Sequence, residues 1–346
     1  MIIFLVILIV IGSALQLWSM KHGLDGVSHV YTPSKSLVEP EEVFQIHSTV
    51  ANTSLRFISF LEVKEYMPAE FETAPGTEEK YSLFLMPRQC YHHITDVKAL
   101  KRGCYYLSGA FIKGGDFLGL SENFISVPQR REVLVIPPLY KELRLKDTVG
   151  GFLGDVSVNR FIMEDPVLTM GFREYTGREP MKMISWSQSA RNRRLIVKKY
   201  DYTLELVVTV ILNVECKVDK ETEPVIEDCF AIARTVCETL EEKHIKYSFT
   251  TNANTMGAIS AWDSITDGLG SGHLMKILEG LARASYGYVR PFKSILNKAY
   301  KNTEQGRSHV VITPKLTDDY RHSISRLRDL TGMQVLVLTP GEEVIL

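Results

Sequence analysis

Cys90, His92, His93 and Cys104 are sulfur and imidazole groups of the kind that hold zinc. Adjacent histidines in a strand point to opposite faces, and no second CxxC or HxxxH closes the set, so ordinary strand residues are expected and no metal is assigned. Residues 266–273, TDGLGSGH, form a glycine-rich turn ahead of a helix, where backbone N–H groups can hold phosphate. No Gly-Lys-Ser/Thr follows and GxGxxG is not completed after a first strand, so a flexible connection is the expectation. Asp263, Ser264 and His273 have the types of a nucleophilic triad, but neither GxSxG nor HExxH is present and no catalytic residue is assigned.

The most unusual stretch is 171–201, GFREYTGREPMKMISWSQSARNRRLIVKKYD, with eight Lys/Arg and three acids in a chain where Lys+Arg total 40 and Asp+Glu 41. Such a segment can latch one domain onto another through Arg to carboxylate pairs and Trp burial, or it can present an anchor to a protein partner. Nucleic acid is not expected, because the basic cluster stands alone and lacks RNP or KH aromatic spacing.

The elements that position these groups follow from composition and periodicity. With 45% hydrophobic and 23% charged residues, the 346-residue chain can bury two cores and is neither disordered nor a disulfide scaffold. Five cysteines, an odd number without CxxC, fit a reducing compartment. Residues 2–20 carry no charge, and at about 1.5 Å per residue they just span a hydrocarbon core of about 30 Å. Trp18 edges the run, Lys21, His22 and Lys35 follow it, and no basic residue precedes it. An uncleaved single-pass anchor is therefore expected over 1–22, with the amino terminus outside and the soluble part cytoplasmic.

Residues 23–145 show β-rich runs at 43–50, 55–63, 81–86, 104–112 and 132–137 separated by turn clusters, which predicts a sandwich-like β domain. A linker with the basic motif is expected at 146–201, and an α/β domain at 202–346. There 204–214 reads as a strand buried on both faces and 222–240 as an amphipathic helix capped by Thr222. Strands at 244–250, 309–313 and 333–339 and helices at 273–284 and 316–330, the second capped by Thr317, complete an open sheet whose last strand is 333–339. The fold class is thus α+β multidomain.

Arg173-Glu174-Tyr175, Ile184-x-Trp186, Ser189-Ala190-Arg191 and Leu195-x-Val197-Lys198 resemble the signature of the domain-of-unknown-function family fifty-eight. The run at 101–120, ending Asp116-Phe117-Leu118-Gly119-Leu120, is similar to another element of that family. The resemblance implies a membrane-anchored protein with a β-rich domain and a von Willebrand A-like α/β domain, often encoded beside MoxR-type AAA+ ATPases. It marks Arg173, Glu174, Tyr175, Trp186, Ser189, Arg191 and Lys198 as a partner-binding or interdomain motif. Thr176-Gly177-Arg178-Glu179 departs from the family's Pro-Gly-Asp-Asp, and one membrane helix is found where many members have two.

A metal-binding von Willebrand A domain carries DxSxS after its first strand, whereas this chain reads Asn213-Val214-Glu215-Cys216-Lys217, and Pro314 stands where a TDG-like turn is expected. No magnesium is expected there, although Glu215 could serve as a single carboxylate. The chain therefore reads as a non-enzymatic membrane-anchored scaffold or adaptor that needs no cofactor and works with a AAA+ ATPase. The alternative is a hydrolase using Glu215, Asp263 and His273 at the strand ends.

Overall fold

The computed structural model describes residues 2–345 apart from 74–79, 116–121, 142, 163–168, 178, 180, 201–205, 256, 258–261 and 303–306. The 116–120 element of the family resemblance lies outside the described residues. Two compact units divide the chain, Met1–Pro138 with Leu281–Ala284, and Leu139–Gly280 with Ser285–Leu346.

The first unit opens with α1 (Ile2–His22), 21 residues long. Its described side chains run unbroken from Ile3 to Trp18, about 24 Å at ~1.5 Å per residue. Among the described residues no helix is long and apolar enough to cross a membrane. All of those side chains except Gln16 are exposed. A helix apolar on every side finds no partner face in this unit, because amphipathic packing needs one dry stripe and one wet one.

Among the described residues nine strands follow: β1 (Val27–Pro33), β2 (Leu37–Val38), β3 (Val43–Asn52), β4 (Ile58–Glu65), β5 (Phe71–Thr73), β6 (Lys80–Leu85), β7 (Cys90–Ala99), β8 (Gly103–Gly115) and β9 (Glu122–Val135). They form two sheets, ordered β1-β3-β7-β5 and β2-β9-β8-β4-β6. Alternation is the cause: β3 buries every second residue, and Phe44, Ile46 and Val50 point inward. Tyr31, Phe44, Ile46, Phe71 and Val97 of one sheet share a core with Val38, Leu107, Val133 and Val135 of the other, which makes a sandwich. The sequence left β1, β2 and β5 unassigned, read Cys90, His92 and His93 as strand residues without bounding β7, and started the last strand at 132, ten residues late. At Gly109 the β8–β9 pairing shifts register, φ is +101°, and a Cβ would stand 2.1 Å from the Val127 carbonyl oxygen, so glycine is required.

The second unit begins with α2 (Leu143–Ile162), β10 (Thr169–Glu174), a 3-10 turn at Met181–Met183, α3 (Trp186–Asn192) and β11 (Ile196–Tyr200). The expected linker at 146–201 thus holds ordered elements. Then come β12 (Val207–Leu212), α4 (Thr222–Glu242), β13 (Lys246–Thr251), β14 (Ala253–Thr255), β15 (Ser264–Gly268), α5 (Ser271–Arg283) and β16 (Ala284–Tyr288). The chain ends with α6 (Phe292–Asn302), β17 (Ser308–Ile312), α7 (Asp318–Thr331), β18 (Val335–Thr339) and β19 (Glu342–Ile345).

The main sheet is ordered β15-β13-β12-β17-β18-β19; the four inner strands are parallel and both edge strands antiparallel. The β19 edge corrects the expectation that 333–339 ends the sheet. Phe292, Ile295 and Leu296 of α6 and Ile324 and Leu327 of α7 pack on Ile211, Val311, Val335 and Val337. On α4 burial is continuous from Cys229 to Cys237, where an amphipathic helix with one wet face was expected. Tyr140 N donates to Thr235 Oγ1 at 2.9 Å, which ties the approach to α2 onto that outer side. Thr235 and Thr239 are tolerated there because their hydroxyls donate to the carbonyls of Ala231 and Thr235 at 2.9 and 2.7 Å. Burial pushes both the Cys229 and Cys237 thiols up, as suits core residues.

The Thr222 cap is also corrected. Asp219 Oδ1 accepts from the Glu221 and Thr222 N–H groups, at 3.0 and 2.9 Å, while the Thr222 hydroxyl bonds back to the Lys217 carbonyl at 2.6 Å. Thr317 does cap α7, accepting from Tyr320 N at 3.3 Å.

Candidate functional site

From β12 the chain goes first to β13 on one side and later to β17 on the other. The sheet's switch point therefore opens at the carboxyl ends of β12 and β17, where open α/β sheets place ligands. Leu212 pairs with both Thr251 and Ile312, so the following residues Asn213, Asn252 and Thr313 fall in one row. All three are buried.

These side chains close on one another. Asn252 Nδ2 donates to Asn213 Oδ1 at 2.8 Å, and Asn213 Nδ2 donates to Thr313 Oγ1 at 3.0 Å, across the switch point itself. The backbone completes the network: Val214 N donates to Asn252 Oδ1 at 2.8 Å and Glu215 N to Asn213 Oδ1 at 2.9 Å. The row consists of neutral amides and a hydroxyl, and each amide oxygen already accepts from a neighbour.

Glu215 turns elsewhere. Its carboxylate accepts the Phe292 N–H at 2.6 Å, at the start of α6, where an unsatisfied donor and the helix dipole both favour an anion. The nearby Tyr320 hydroxyl is pushed up to about 12 by burial and by the Glu215 charge, so it stays protonated at neutral pH. Among the described residues no group of three or more His, Cys, Asp or Glu side chains converges as a metal site would need.

The other candidates are also engaged. Residues 266–273 are ordered, not a flexible connection, with β15 running into α5. Gly270 N points at the Glu241 carboxylate, 3.1 and 2.9 Å from its two oxygens, so the helix end that could have met a phosphate meets an internal acid. Asp263 pairs with Arg290 at 3.6 Å, and His273 packs edge-on against Tyr247 with ring centroids 4.7 Å apart. Among the described residues no hydrogen bond joins Asp263, Ser264 and His273 into a triad. His92 bonds the Thr49 hydroxyl at 3.0 Å, whereas His93 lies against the Tyr81 ring at 4.3 Å, as opposite faces of one strand require.

A groove of about 310 Å³ borders the end of β13, lined by Asn252, Asn254, Asp263, Arg290, Ser294 and Lys298. A second hollow, of about 200 Å³, lies along the same sheet face and holds Thr209, Ser248, Asp267, Arg307 and His309. Arg307 grips Asp267 with two bonds of 2.7 Å and holds its carboxyl below the usual range. Burial, helped by the Arg307 charge, pushes the His309 imidazole down to about 4, so it is neutral at physiological pH.

The motif at 173–198 folds as an antiparallel β10–β11 pair with α3 across its end. Ser189 is its pivot: the hydroxyl donates to the Ser185 carbonyl at 2.8 Å and accepts from Ile196 N at 2.9 Å. Tyr175 N bonds the Leu195 carbonyl at 2.9 Å, Glu174 pairs with Arg194 at 2.6 Å, and Lys198 stands opposite Phe172 in the ladder. Glu179, from the segment that departs from the family pattern, accepts from the Thr176 hydroxyl at 2.7 Å and from Arg173. These bonds push its carboxyl down to about 2. Trp186 is 61% exposed, and Arg191 is exposed on the same short helix. Phe172 and Met181 are exposed as well.

The strand-end row was missed by sequence reading, although Asn213, Asn252 and Thr313 each directly follow a strand rich in apolar or β-branched residues, a signal open to inspection. Glu241 and His309 had no such signal, since their roles depend on elements distant in sequence.

No protein-family model matches the chain, and no curated protein matches it. Among solved structures, a CARDB domain of a Pyrococcus furiosus protein, in complex with di-metal ions, is 12% identical over 32% of this chain and 91% of its own, with a TM-score of 0.21. A Salmonella alpha-2-macroglobulin mutant is 12% identical over 32% of this chain and 7% of its own, with a TM-score of 0.24. Likenesses of that size carry neither fold nor function to this chain.

Proposed function

We propose that this protein is a membrane-anchored, non-enzymatic scaffold or adaptor, held by α1 with its soluble part in the cytoplasm. In this reading its von Willebrand A-like α/β unit engages a protein partner, and the sequence resemblance makes that partner a AAA+ ATPase of the MoxR type. The observation that carries the reading is Trp186, exposed beside Arg191 on α3 while Ser189 fixes the helix from below. Exposed tryptophan and arginine are the side chains from which interface hot spots are most often built. The exposed apolar surface of α1 supports the anchor. A hydrolase finds less support, because Glu215 is committed to α6 and the three strand ends bond each other.

The test is affinity purification of the tagged full chain, solubilised from its native membranes, beside the Trp186→Ala/Arg191→Ala double variant. A AAA+ ATPase is expected with the wild type and not with the variant, whose thermal midpoint stays close to wild type because both side chains are exposed. Equal recovery with both proteins would remove α3 as the partner site. A hydrolytic activity abolished by one acidic or nucleophilic substitution would overturn the scaffold reading.

A further inference from the structure

The end of the sandwich from which α1 emerges carries large apolar side chains left uncovered. The segment after α1 is tied to the β3–β4 loop. Arg56 donates to the carbonyls of His22 and Asp25, the latter at 3.2 Å, its guanidinium lies 4.9 Å from the Trp18 ring centroid, and Thr53 N bonds the Gly26 carbonyl at 2.8 Å. The β6–β7 turn is fastened to the same loop by Arg88 N to the Ser54 carbonyl at 3.1 Å, and by Asn52 Nδ2 to the carbonyls of Arg56 and Met86 at 2.6 and 3.1 Å. These bonds hold the two loops together beside the helix end.

On them Leu55 is 73% exposed, Phe57 52%, Phe84 61% and Met86 52%. The Phe57 and Phe84 ring centroids lie 6.3 Å apart, with the rings tilted by 48°. Apolar side chains gathered like this on a soluble surface mark an interaction site, whereas scattered ones need no explanation. Half-buried Arg56 and exposed Arg88 belong to the same two loops, exposed Lys21 lies at the end of α1, and Asp25 is turned toward His22 and Arg56. Apolar tips with cations on the same loops, next to the end of a helix that is apolar on every side, match the layering of an anionic lipid surface: hydrocarbon beneath, phosphate above.

We infer that this end of the sandwich rests in the lipid interface, with Leu55, Phe57, Phe84 and Met86 entering the headgroup layer and Lys21, Arg56 and Arg88 facing anionic lipid phosphates. The inference rests on the reading of α1 as a membrane anchor. It adds that the β domain is seated on the bilayer and does not swing on a free tether. Val43, at the far end of β3, then stands about 30 Å above the interface, at ~3.4 Å per strand residue.

The experiment uses the full chain, carrying Cys90→Ser, Cys104→Ser and Cys216→Ser, reconstituted in phosphatidylcholine/phosphatidylserine vesicles. Nitroxide labels are placed in turn at Phe57→Cys, Phe84→Cys and Val43→Cys, and relaxation by oxygen and by an aqueous nickel chelate is compared. Labels at 57 and 84 are expected to be reached by oxygen and shielded from nickel, with the reverse at 43. Nickel access at 57 and 84 equal to that at 43, in protein that resists alkaline extraction, would overturn the seating and leave the anchor standing. Shielding from both relaxants, in detergent as in vesicles, would place a protein on the patch and also overturn it. Loss of the unlabelled chain from the vesicles on alkaline extraction would remove the anchor reading itself. Deuterium uptake of the unsubstituted chain gives a second reading: amides at 53–57 are expected to exchange more slowly in vesicles than in detergent, and equal exchange counts against the seating.

Discussion

The side-chain amides of Asn213 and Asn252 meet at the carboxyl ends of β12 and β13, with Asn252 Nδ2 donating to Asn213 Oδ1 at 2.8 Å. Each amide also receives a backbone N–H from the loop that follows β12, so the pair fixes the course of 213–215 and thereby aims Glu215 at α6. The crevice that this topology offers to ligands is filled with the protein's own hydrogen bonds.

Asn213→Ala strands the Asn252 amide and the Glu215 N–H in a dry site, which costs about 2–4 kcal/mol. Urea titration of the detergent-solubilised chain measures it. A loss under about 0.5 kcal/mol, the range of ordinary surface changes, would mean that the network is not structural.

The His309 imidazole is held down to about 4, while an unfolded histidine titrates near 6.5. The unfolded chain then takes up a proton that the native state refuses. Stability is whole above the unfolded value and falls as the pH drops from about 6.5 to about 4, by about 3 kcal/mol in all. His309→Gln is expected to flatten that part of the stability profile, and an unchanged slope would contradict the buried neutral ring.

A second acid-sensitive group sits in the sandwich. His29 Nε2 lies 2.9 Å from Ser48 Oγ and 3.5 Å from the fully buried Glu65 carboxylate, which also accepts from the Tyr81 hydroxyl at 3.0 Å. Burial alone would raise the Glu65 carboxyl, but the hydrogen bonds of His29, Ser48 and Tyr81 leave it lowered. Its contribution is present above the unfolded value of about 4.3 and is lost as the pH falls through the lower folded one, a window below that of His309. Glu65→Ala leaves His29 and the Tyr81 hydroxyl without their buried partner and costs about 1–3 kcal/mol near neutrality. The same urea titrations, run against pH, separate the two residues.

Gly280 offers a steric test. A Cβ there would stand 1.4 Å from Trp262 Nε1, inside the indole ring. Gly280→Ala must displace Trp262 from its place beside Phe249, where the ring centroids are 5.6 Å apart, and is expected to cost about 3 kcal/mol. Gly280→Ala/Trp262→Ala should recover the clash component, and thermal melts of the three variants give the coupling.

Segments whose burial is strictly periodic or continuous were legible from sequence: β3 and α7 by period, the latter with the Thr317 cap in its place, and β12 by its unbroken burial. β7 was read as strand only at Cys90, His92 and His93, and its extent escaped because its first residues are exposed and only its second half alternates. α2 escaped because it carries Gly150, Gly151 and Gly154, poor helix formers, and no amphipathic stripe. Of the motif at 173–198 the sequence marked the residues but not their state, since whether Trp186 is dry depends on what lies over α3. The Asn213, Asn252 and Thr313 row was hidden for a related reason: a parallel register joins residues far apart in sequence, and the polar residue after each strand does not say which others it meets.

The antiparallel strands that flank the main sheet bear on how the α/β unit can be approached. β19 is four residues long, begins with Glu342 and Glu343 and is mostly exposed, while β15 at the opposite margin carries Asp267. Short acidic margins are poor templates for another chain to extend, so the long apolar strands between them stay out of reach of intermolecular β pairing. Neither polymerisation through the sheet nor capture of an extended peptide alongside it suits such borders.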